Sequence, residues 1–311
     1  MATKFRVAIW YVADVSYRKP TLILDMQWGR NWRSYIGVGT LQVYPDIQVD
    51  VYEAAGQFKE IGAGVMIWAR TWEILSLLGM AEAFSCIAHA PPDGSLGIGF
   101  DYRKSDQPKV GSRFYLFKVP YGCIRFHRAH FLDVLVDHLP AGIAHFGKRL
   151  TSYTYSPNMP QICLQFEDGS SASCDLLVGC DGIKSVVRKQ LLEEHVHKRR
   201  GDPQLLTHIE PVWSGTIAYR GLIPVERLRN GDGTEHRTIR SPMMHVVSYS
   251  ISAGSIVNVV AMVSEPRLYG TEFKGAWVTD CSPSEVQESY GGWESEVQEM
   301  LKVSHATLQS L

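Results

Sequence analysis

Residues 176–188, LLVGCDGIKSVVR, decide how this chain is read. Leu176-Leu177-Val178 is a short apolar run of the kind a doubly buried strand needs. Asp181-Gly182 is a turn pair, because glycine supplies a positive φ at little cost and aspartate hydrogen-bonds the backbone ahead of it. Ser185-Val186-Val187-Arg188 then opens a helix. Strand, tight turn and helix in that order form the unit from which doubly wound nucleotide folds are built.

Working outward from this unit, Lys4 to Ile9 (KFRVAI) predicts a first buried strand, and Ile47 to Tyr52 (IQVDVY) a second, closed by Glu53. The run ARTWEILSLLGM, stopped by Gly79, and the run HRAHFLDVLVDHL predict helices. In the second of these, Phe131, Leu132, Leu135, Val136 and Leu139 share one face. Residues 95 to 125 read as strand-rich. Residues 143 to 179 read as three strands with a hairpin turn at Glu167-Asp168-Gly169-Ser170. GTIAYRGLI, HVVSYSIS and SIVNVVAMV make the stretch from Trp213 to Val263 mostly β, and the chain turns helical from Ser284 onward. Nucleotide-type strands that leave for a β-rich middle and come back imply two interleaved domains.

The 311 residues are 45% hydrophobic and 20% charged, which is ample for a large core. A formal charge of −1 gives no electrostatic footprint for nucleic acid or an anionic membrane. The basic run His197-Lys198-Arg199-Arg200 is most simply a solvated helix end. No apolar run is long enough to span a bilayer, and no signal-type hydrophobic region opens the sequence. The six cysteines form no CxxC pair and no metal-ligand spacing, and His127 with His130 lacks further ligands. The economical reading is a cytoplasmic, reduced protein without a metal.

The segments VDVYEAAGQFKEIGAGV, ARTWEILSLLG, HRAHFLDVLVDHLP, DLLVGCDGIKSVVR and SGTIAYRGLIP, in this order, resemble the FAD-dependent aromatic hydroxylases, the salicylate hydroxylase-like group with its fungal secondary-metabolism members. The likeness runs over most of the chain. It implies a mixed α/β fold in which a Rossmann-like FAD-binding domain (1–90 and 120–210) is interleaved with a β-rich substrate domain (91–119 and 211–280). A shortened helical segment (281–311) follows. It further implies hydroxylation of an aromatic or phenolic small molecule with FAD as cofactor and NAD(P)H and O2 as co-substrates.

The resemblance also assigns roles. Glu53 would accept the ribose hydroxyls of the adenosine half, the alternative being an ordinary carboxylate after a strand. Ala63 and Gly64, in the GAG loop with Gly62, would run close to the cofactor, unless they form a plain turn. Arg128 would contact the flavin phosphate or ribityl region, or else lie at the surface of a helix end. Asp181-Gly182 would bring backbone to the cofactor, and Asp181 would also serve as a helix cap. Arg188 and Tyr219 match substrate-contacting positions, and packing or ion-pair roles stay open for both.

Two features depart from the family pattern. After Val7-Ala8-Ile9 a Gly-x-Gly-x-x-Gly loop is expected, and Trp10-Tyr11-Val12 stands there instead, with residues 10–36 atypical throughout. A late Gly-Asp motif near the flavin is absent as well. These departures leave three alternatives in view: a truncated or mis-spliced product, a non-catalytic domain derived from a flavoprotein, and, more distantly, a nicotinamide-dependent dehydrogenase.

Overall fold

The computed structural model describes residues 6–11, 48–58, 64–89, 92–156, 159–199, 201–229, 246–276 and 279–303. The strands there are β1 (Arg6–Tyr11), β2 (Gln48–Glu53), β3 (Gly64–Ile67), β4 (Leu96–Lys104), β5 (Ser112–Pro120), β6 (Ile124–His127) and β7 (Ala144–His145). They continue as β8 (Leu150–Ser156), β9 (Met159–Phe166), β10 (Ser171–Cys174), β11 (Leu176–Gly179), β12 (Thr216–Pro224), β13 (Val246–Ile251) and β14 (Ile256–Ser264). The α-helices are α1 (Ala69–Leu77), α2 (Ala81–Ile87), α3 (Arg128–Asp137), α4 (Val186–Arg199), α5 (Pro283–Ser289) and α6 (Ser295–Val303). The fold is mixed α/β. Most of the atypical stretch 10–36, together with Gly62 and Ala63, lies outside the described residues.

The chain divides into two compact units, Met1–Lys59 with Leu132–Trp213 and Glu60–Phe131 with Ser214–Leu311. Residues 60–90 and 120–131, grouped with the nucleotide part on sequence, fall in the second unit. Hydrogen bonds account for that placement. β3 pairs antiparallel with β6, Gly64 N donates to Asn258 Oδ1 at 2.9 Å, and Arg125 Nη1 donates to Ser250 Oγ at 3.1 Å. The β3–β6 pair is thereby tied to β13 and β14.

In the first unit, β1 lies between β11 and β2, and β7 extends the sheet. All three pairings are parallel. A second, antiparallel sheet has the order β10-β9-β8. Its core of Leu150, Tyr153, Leu164, Phe166 and Cys174 packs with Tyr52 and with Val186 and Val187 of α4. Gln190 fastens α4 to β8, accepting from Tyr153 N at 2.8 Å and donating to Tyr153 O at 3.1 Å. Residues 143–179, expected to form three strands, carry five, β7 to β11. Residues up to Cys174 pair antiparallel with β9, and from Leu176 the chain joins β1 in parallel. Asp175 marks the change of sheet.

In the second unit, β12, β14 and β13 form an antiparallel sheet in that order. Side chains alternate between its faces. Tyr219, Ile223, Val246, Val257, Val259 and Ala261 lie on one face, with Val286, Tyr290, Val297, Met300 and Leu301 from α5 and α6 packed on them. Fully burying each such aliphatic side chain contributes about 1.5–3 kcal/mol. Ala218, Val247, Tyr249, Ile251 and Val260 turn to the opposite face, where Met66, Phe100 and Cys123 cover them. The carboxyl-terminal helix expected from Ser284 is interrupted between Tyr290 and Glu294, around Gly291 and Gly292, which leaves α5 and α6 as separate short helices.

Candidate functional site

Parallel strands end on a common edge, and in open α/β sheets the carboxyl edge is where ligands bind. In the first unit that edge carries Glu53 and the Asp-Gly turn, on either side of β1. The register pairs Tyr11 with Glu53 and Trp10 with Gly179. Glu53 is 1% exposed. Its Oε1 accepts from Ala55 N at 2.8 Å, and its carbonyl accepts from Lys148 N at 2.9 Å. A carboxylate so deeply placed at a strand end is closed to bulk water.

On the other side of β1, the turn is built by its own hydrogen bonds. Asp181 is buried, and its carboxylate accepts from the Ser185 hydroxyl and, at 3.2 Å, from Val187 N. Ser185 Oγ in turn accepts from Arg188 N at 2.9 Å, so the first turn of α4 has two side-chain caps. Burial raises the Asp181 carboxyl above its ordinary range, against these hydrogen bonds, which lower it. Gly182 has φ of 74°, and nothing lies within 4 Å of where its Cβ would stand. That side of the turn is open backbone. At Gly179 the opposite holds: a Cβ would come within 2.7 Å of Val187 Cβ, so glycine lets strand and helix pack closely.

The guanidinium of Arg188 is spent on backbone carbonyls. Its Nη1 donates to Gly182 O at 3.3 Å, and its Nη2 donates to Ile183 O and, at 3.0 Å, to Ile209 O. The guanidinium thus clamps the turn to the segment that follows α4.

The second unit holds the other expected residues. Gly64 pairs with His127 across β3 and β6, which sets it beside Arg128 at the start of α3. Arg128 is buried. A Cβ on Gly64 would stand 2.4 Å from the Tyr249 ring, so the glycine exists for a close approach. Tyr219 lies on the helix-covered face of β12. Its hydroxyl donates to Glu285 Oε1 at 3.2 Å, and burial, then the Glu285 carboxylate, push its phenol up to about 12.

Glu53 therefore shares one sheet edge with Asp181 and Gly182, and Gly64 is beside Arg128 in the other unit. Ala63 is outside the described residues. The sequence reading missed a polar group on the inner face of the β12-β14-β13 sheet. Arg220 alternates there with Ala218 and Leu222, and Tyr249 and Asn258 face each other across β13 and β14. The Nε of Arg220, the hydroxyl of Tyr249 and the Nδ2 of Asn258 are enclosed without hydrogen-bond partners. Tyr249 feels Arg220, Arg128 and Arg125 together, although burial and Cys123 still raise its phenol. A charged residue at the i+2 step of an apolar strand face was the available signal.

No family model matches the chain. Salicylate hydroxylase of Pseudomonas putida is 34% identical over 292 residues, which cover 90% of this chain and 63% of that protein. The 6-methylsalicylate 1-monooxygenase of Aspergillus terreus is 35% identical over 252 residues, 78% of this chain and 52% of its own length. The chain thus spans between 52% and 63% of these curated relatives. A solved structure of a salicylate hydroxylase substrate complex superposes with a TM-score of 0.75 at 25% identity, covering 99% of this chain and 68% of that one. Sequence likeness over 90% of the residues, carried on a matching backbone, makes this chain a member of the salicylate hydroxylase-like family of FAD-dependent monooxygenases.

Proposed function

We propose that this chain is the cofactor- and substrate-holding part of an enzyme that hydroxylates an aromatic or phenolic small molecule, using NAD(P)H and O2. A role in secondary metabolism is the accompanying reading. The observation that carries it is the shared carboxyl edge: a buried acidic residue at the end of β2 and an open glycine turn after β11, flanking β1. The fungal relative acts on 6-methylsalicylate by name, and the bacterial one on salicylate, which makes carboxylated phenols the first substrates to try.

The residues present fit FAD at this edge. Glu53 would accept the ribose hydroxyls, its carboxylate being desolvated and held by the backbone. Asp181 has both oxygens engaged, so its part is to shape the turn, while the open backbone of Gly182 meets the cofactor. Arg128 would pair with an anionic part of FAD through its fork of donors, while the space beside Gly64 is taken by the Tyr249 ring. When bound, FAD supplies the redox chemistry that delivers an oxygen atom to the ring. The chain's own residues bind, orient and exclude water. In this reading Arg188 acts by fixing the turn, and Tyr219 acts as a neutral, buried phenol on the helix-covered side of β12.

One sequence feature favours a second reading. Trp10 and Tyr11 end β1, where the family pattern has glycines that let backbone reach the diphosphate. A domain that keeps the fold without redox turnover would carry such a change.

FAD titrated into the purified chain separates the two. The proposal expects a yellow, stoichiometric complex whose NAD(P)H oxidation rises with a phenolic acid and is matched by O2 uptake. A chain that retains no flavin supports the second reading, and NAD(P)H oxidation without O2 uptake would point to a dehydrogenase.

A further inference from the structure

The hairpin of β4 and β5 leaves large apolar side chains in water. One of its faces is used: Phe100 and Phe117 pack with Trp68, ring centres 5.5 and 6.0 Å away. Phe100 stands opposite Phe117, and Ile98 opposite Lys118. Since Phe117 and Lys118 are consecutive, Ile98 and Lys118 turn to the other face. There Ile98 is 39% exposed, and Leu96, two residues before it, 67%. Toward the turn, Val110 is 78% exposed, Phe114 69% and Tyr115 55%. Single exposed apolar residues are ordinary, but five on one hairpin are the mark of an interaction surface.

The charge of the same hairpin is one-sided. From Asp101 to Lys118 it carries Arg103, Lys104, Lys109, Arg113 and Lys118 against two carboxylates, Asp101 and Asp106, a surplus of three positive charges on a chain whose formal charge is −1. The whole-chain balance hides this segregation. Asp101 is buried and taken by Arg113, whose Nε and Nη2 each donate at 2.6 Å, and Asp106 is met by Lys104 at 3.0 Å. Lys109 and Lys118 are exposed and have no ion pair among the described residues.

The turn end is braced from beneath. Glu294, buried just before α6, accepts from the Ser105 hydroxyl and from Gly111 N. Arg103 Nη2 donates to Gly111 O. Lys109 and Val110 therefore project from a loop that is already ordered, which lowers the entropic cost of docking.

Exposed Val, Phe, Leu and Ile interleaved with lysines match a bilayer with anionic headgroups. Apolar side chains enter the boundary region, while lysine stems lie along it with their ammonium groups among the phosphates. A second copy of this chain fits less well, because a two-fold contact would gather Lys109 and Lys118 of both copies in one interface. Nucleic acid also fits less well, since Leu96, Ile98 and Val110 give bases nothing to stack on.

We propose that the β4–β5 hairpin docks on the surface of an anionic lipid bilayer, with Val110, Phe114 and Tyr115 entering the boundary region and Lys109 and Lys118 on the headgroups. The docking is peripheral: no helix among the described residues is long and apolar enough to cross a membrane. It stands on the hairpin alone and does not need the hydroxylase reading.

The test is co-sedimentation of the full chain with phosphatidylcholine vesicles, with and without phosphatidylserine. The unaltered chain should partition onto the anionic vesicles at least about 25-fold more strongly than onto the neutral ones, and high salt should remove most of that difference. Lys109→Gln with Lys118→Gln should weaken anionic-vesicle binding about 25-fold. Val110→Ser with Phe114→Ser should weaken it at least about 10-fold. All four positions are exposed, so circular dichroism and melting should be unchanged in both variants.

No sedimentation with either vesicle overturns the proposal, and so does equal binding to both. Binding that falls with the two lysines yet survives Val110→Ser with Phe114→Ser would mark a patch for soluble polyanions, and the proposal falls. Self-association that is lost in Val110→Ser with Phe114→Ser, in a chain that ignores vesicles, would give the hairpin to a second copy and overturn it as well.

Discussion

At the carboxyl edge of the parallel sheet, Asp181 uses both carboxylate oxygens on Ser185 and Val187, and both terminal nitrogens of Arg188 end on backbone carbonyls. On the inner face of the antiparallel sheet, Arg220, Tyr249 and Asn258 each keep an enclosed polar atom without a partner among the described residues, as the Nε of Arg188 does at the first edge. Buried polar groups are nearly always hydrogen-bonded in native proteins, so the exceptions carry information. Where the chain satisfies itself, the residues hold a shape. The first region is held mainly by its own hydrogen bonds, and the second mainly by packing.

This contrast predicts opposite outcomes for substitutions of similar size. The largest effect is expected from Asp181→Ala, which leaves the Ser185 hydroxyl and Val187 N without their acceptor inside the protein. A loss of about 2–3 kcal/mol in urea-induced unfolding is expected. An unchanged midpoint would show that the turn does not depend on its own hydrogen bonds. The Asp181 carboxyl is raised in the folded state, so the folded chain binds more protons than the unfolded one just above the ordinary 3.8. Its contribution to stability is complete below 3.8 and falls as pH rises through the raised value. Asp181→Asn should remove that slope.

Gly64→Ala comes next. Its new methyl would meet the Tyr249 ring at 2.4 Å, and about 2 kcal/mol of overpacking is expected, again by urea unfolding. His89 gives a pH signature for the same unit. Burial, then Arg125, lowers its imidazole to about 4 from 6.5. The unfolded chain therefore binds the extra proton between those values, and stability present above pH 6.5 is lost as pH falls toward 4. His89→Gln should flatten that part of the profile. The smallest effect belongs to Tyr249→Phe. Removing a hydroxyl that has no partner should change stability by less than about 0.5 kcal/mol, and a loss comparable with that of Asp181→Ala would erase the contrast.

The frame of the first unit was legible because its signals are local. Apolar runs at Val7–Ile9, Val49–Tyr52 and Leu176–Val178 name strands, and the Asp-Gly pair names the turn between β11 and α4. The shift of sheet at Asp175 was not legible, since SASC and LLVG are each too short to show which strand they pair with. Helix α2 escaped because seven residues, AEAFSCI, are too few to show a helical period. Glu53, Arg128 and Asp181 stood out through motifs. Arg220 did not, because strand alternation says only that it and Tyr219 lie on opposite faces. Which face receives helices depends on α5 and α6, more than sixty residues downstream. The place of the β3–β6 pair in the second unit was hidden for a similar reason: the bond from Gly64 N to Asn258 spans 194 residues.

The central claim is that the carboxyl edge beside β1 holds the adenosine end of FAD through Glu53. Fluorescence-quenching titration of FAD against the unaltered chain and Glu53→Ala, with unfolding curves for both, tests it most directly. The account predicts saturable one-to-one binding that weakens about 10- to 100-fold in the variant, the cost of two hydrogen bonds to a charged group, while the variant stays folded. Equal affinity in a folded Glu53→Ala, or no saturable binding by the unaltered chain, would contradict it.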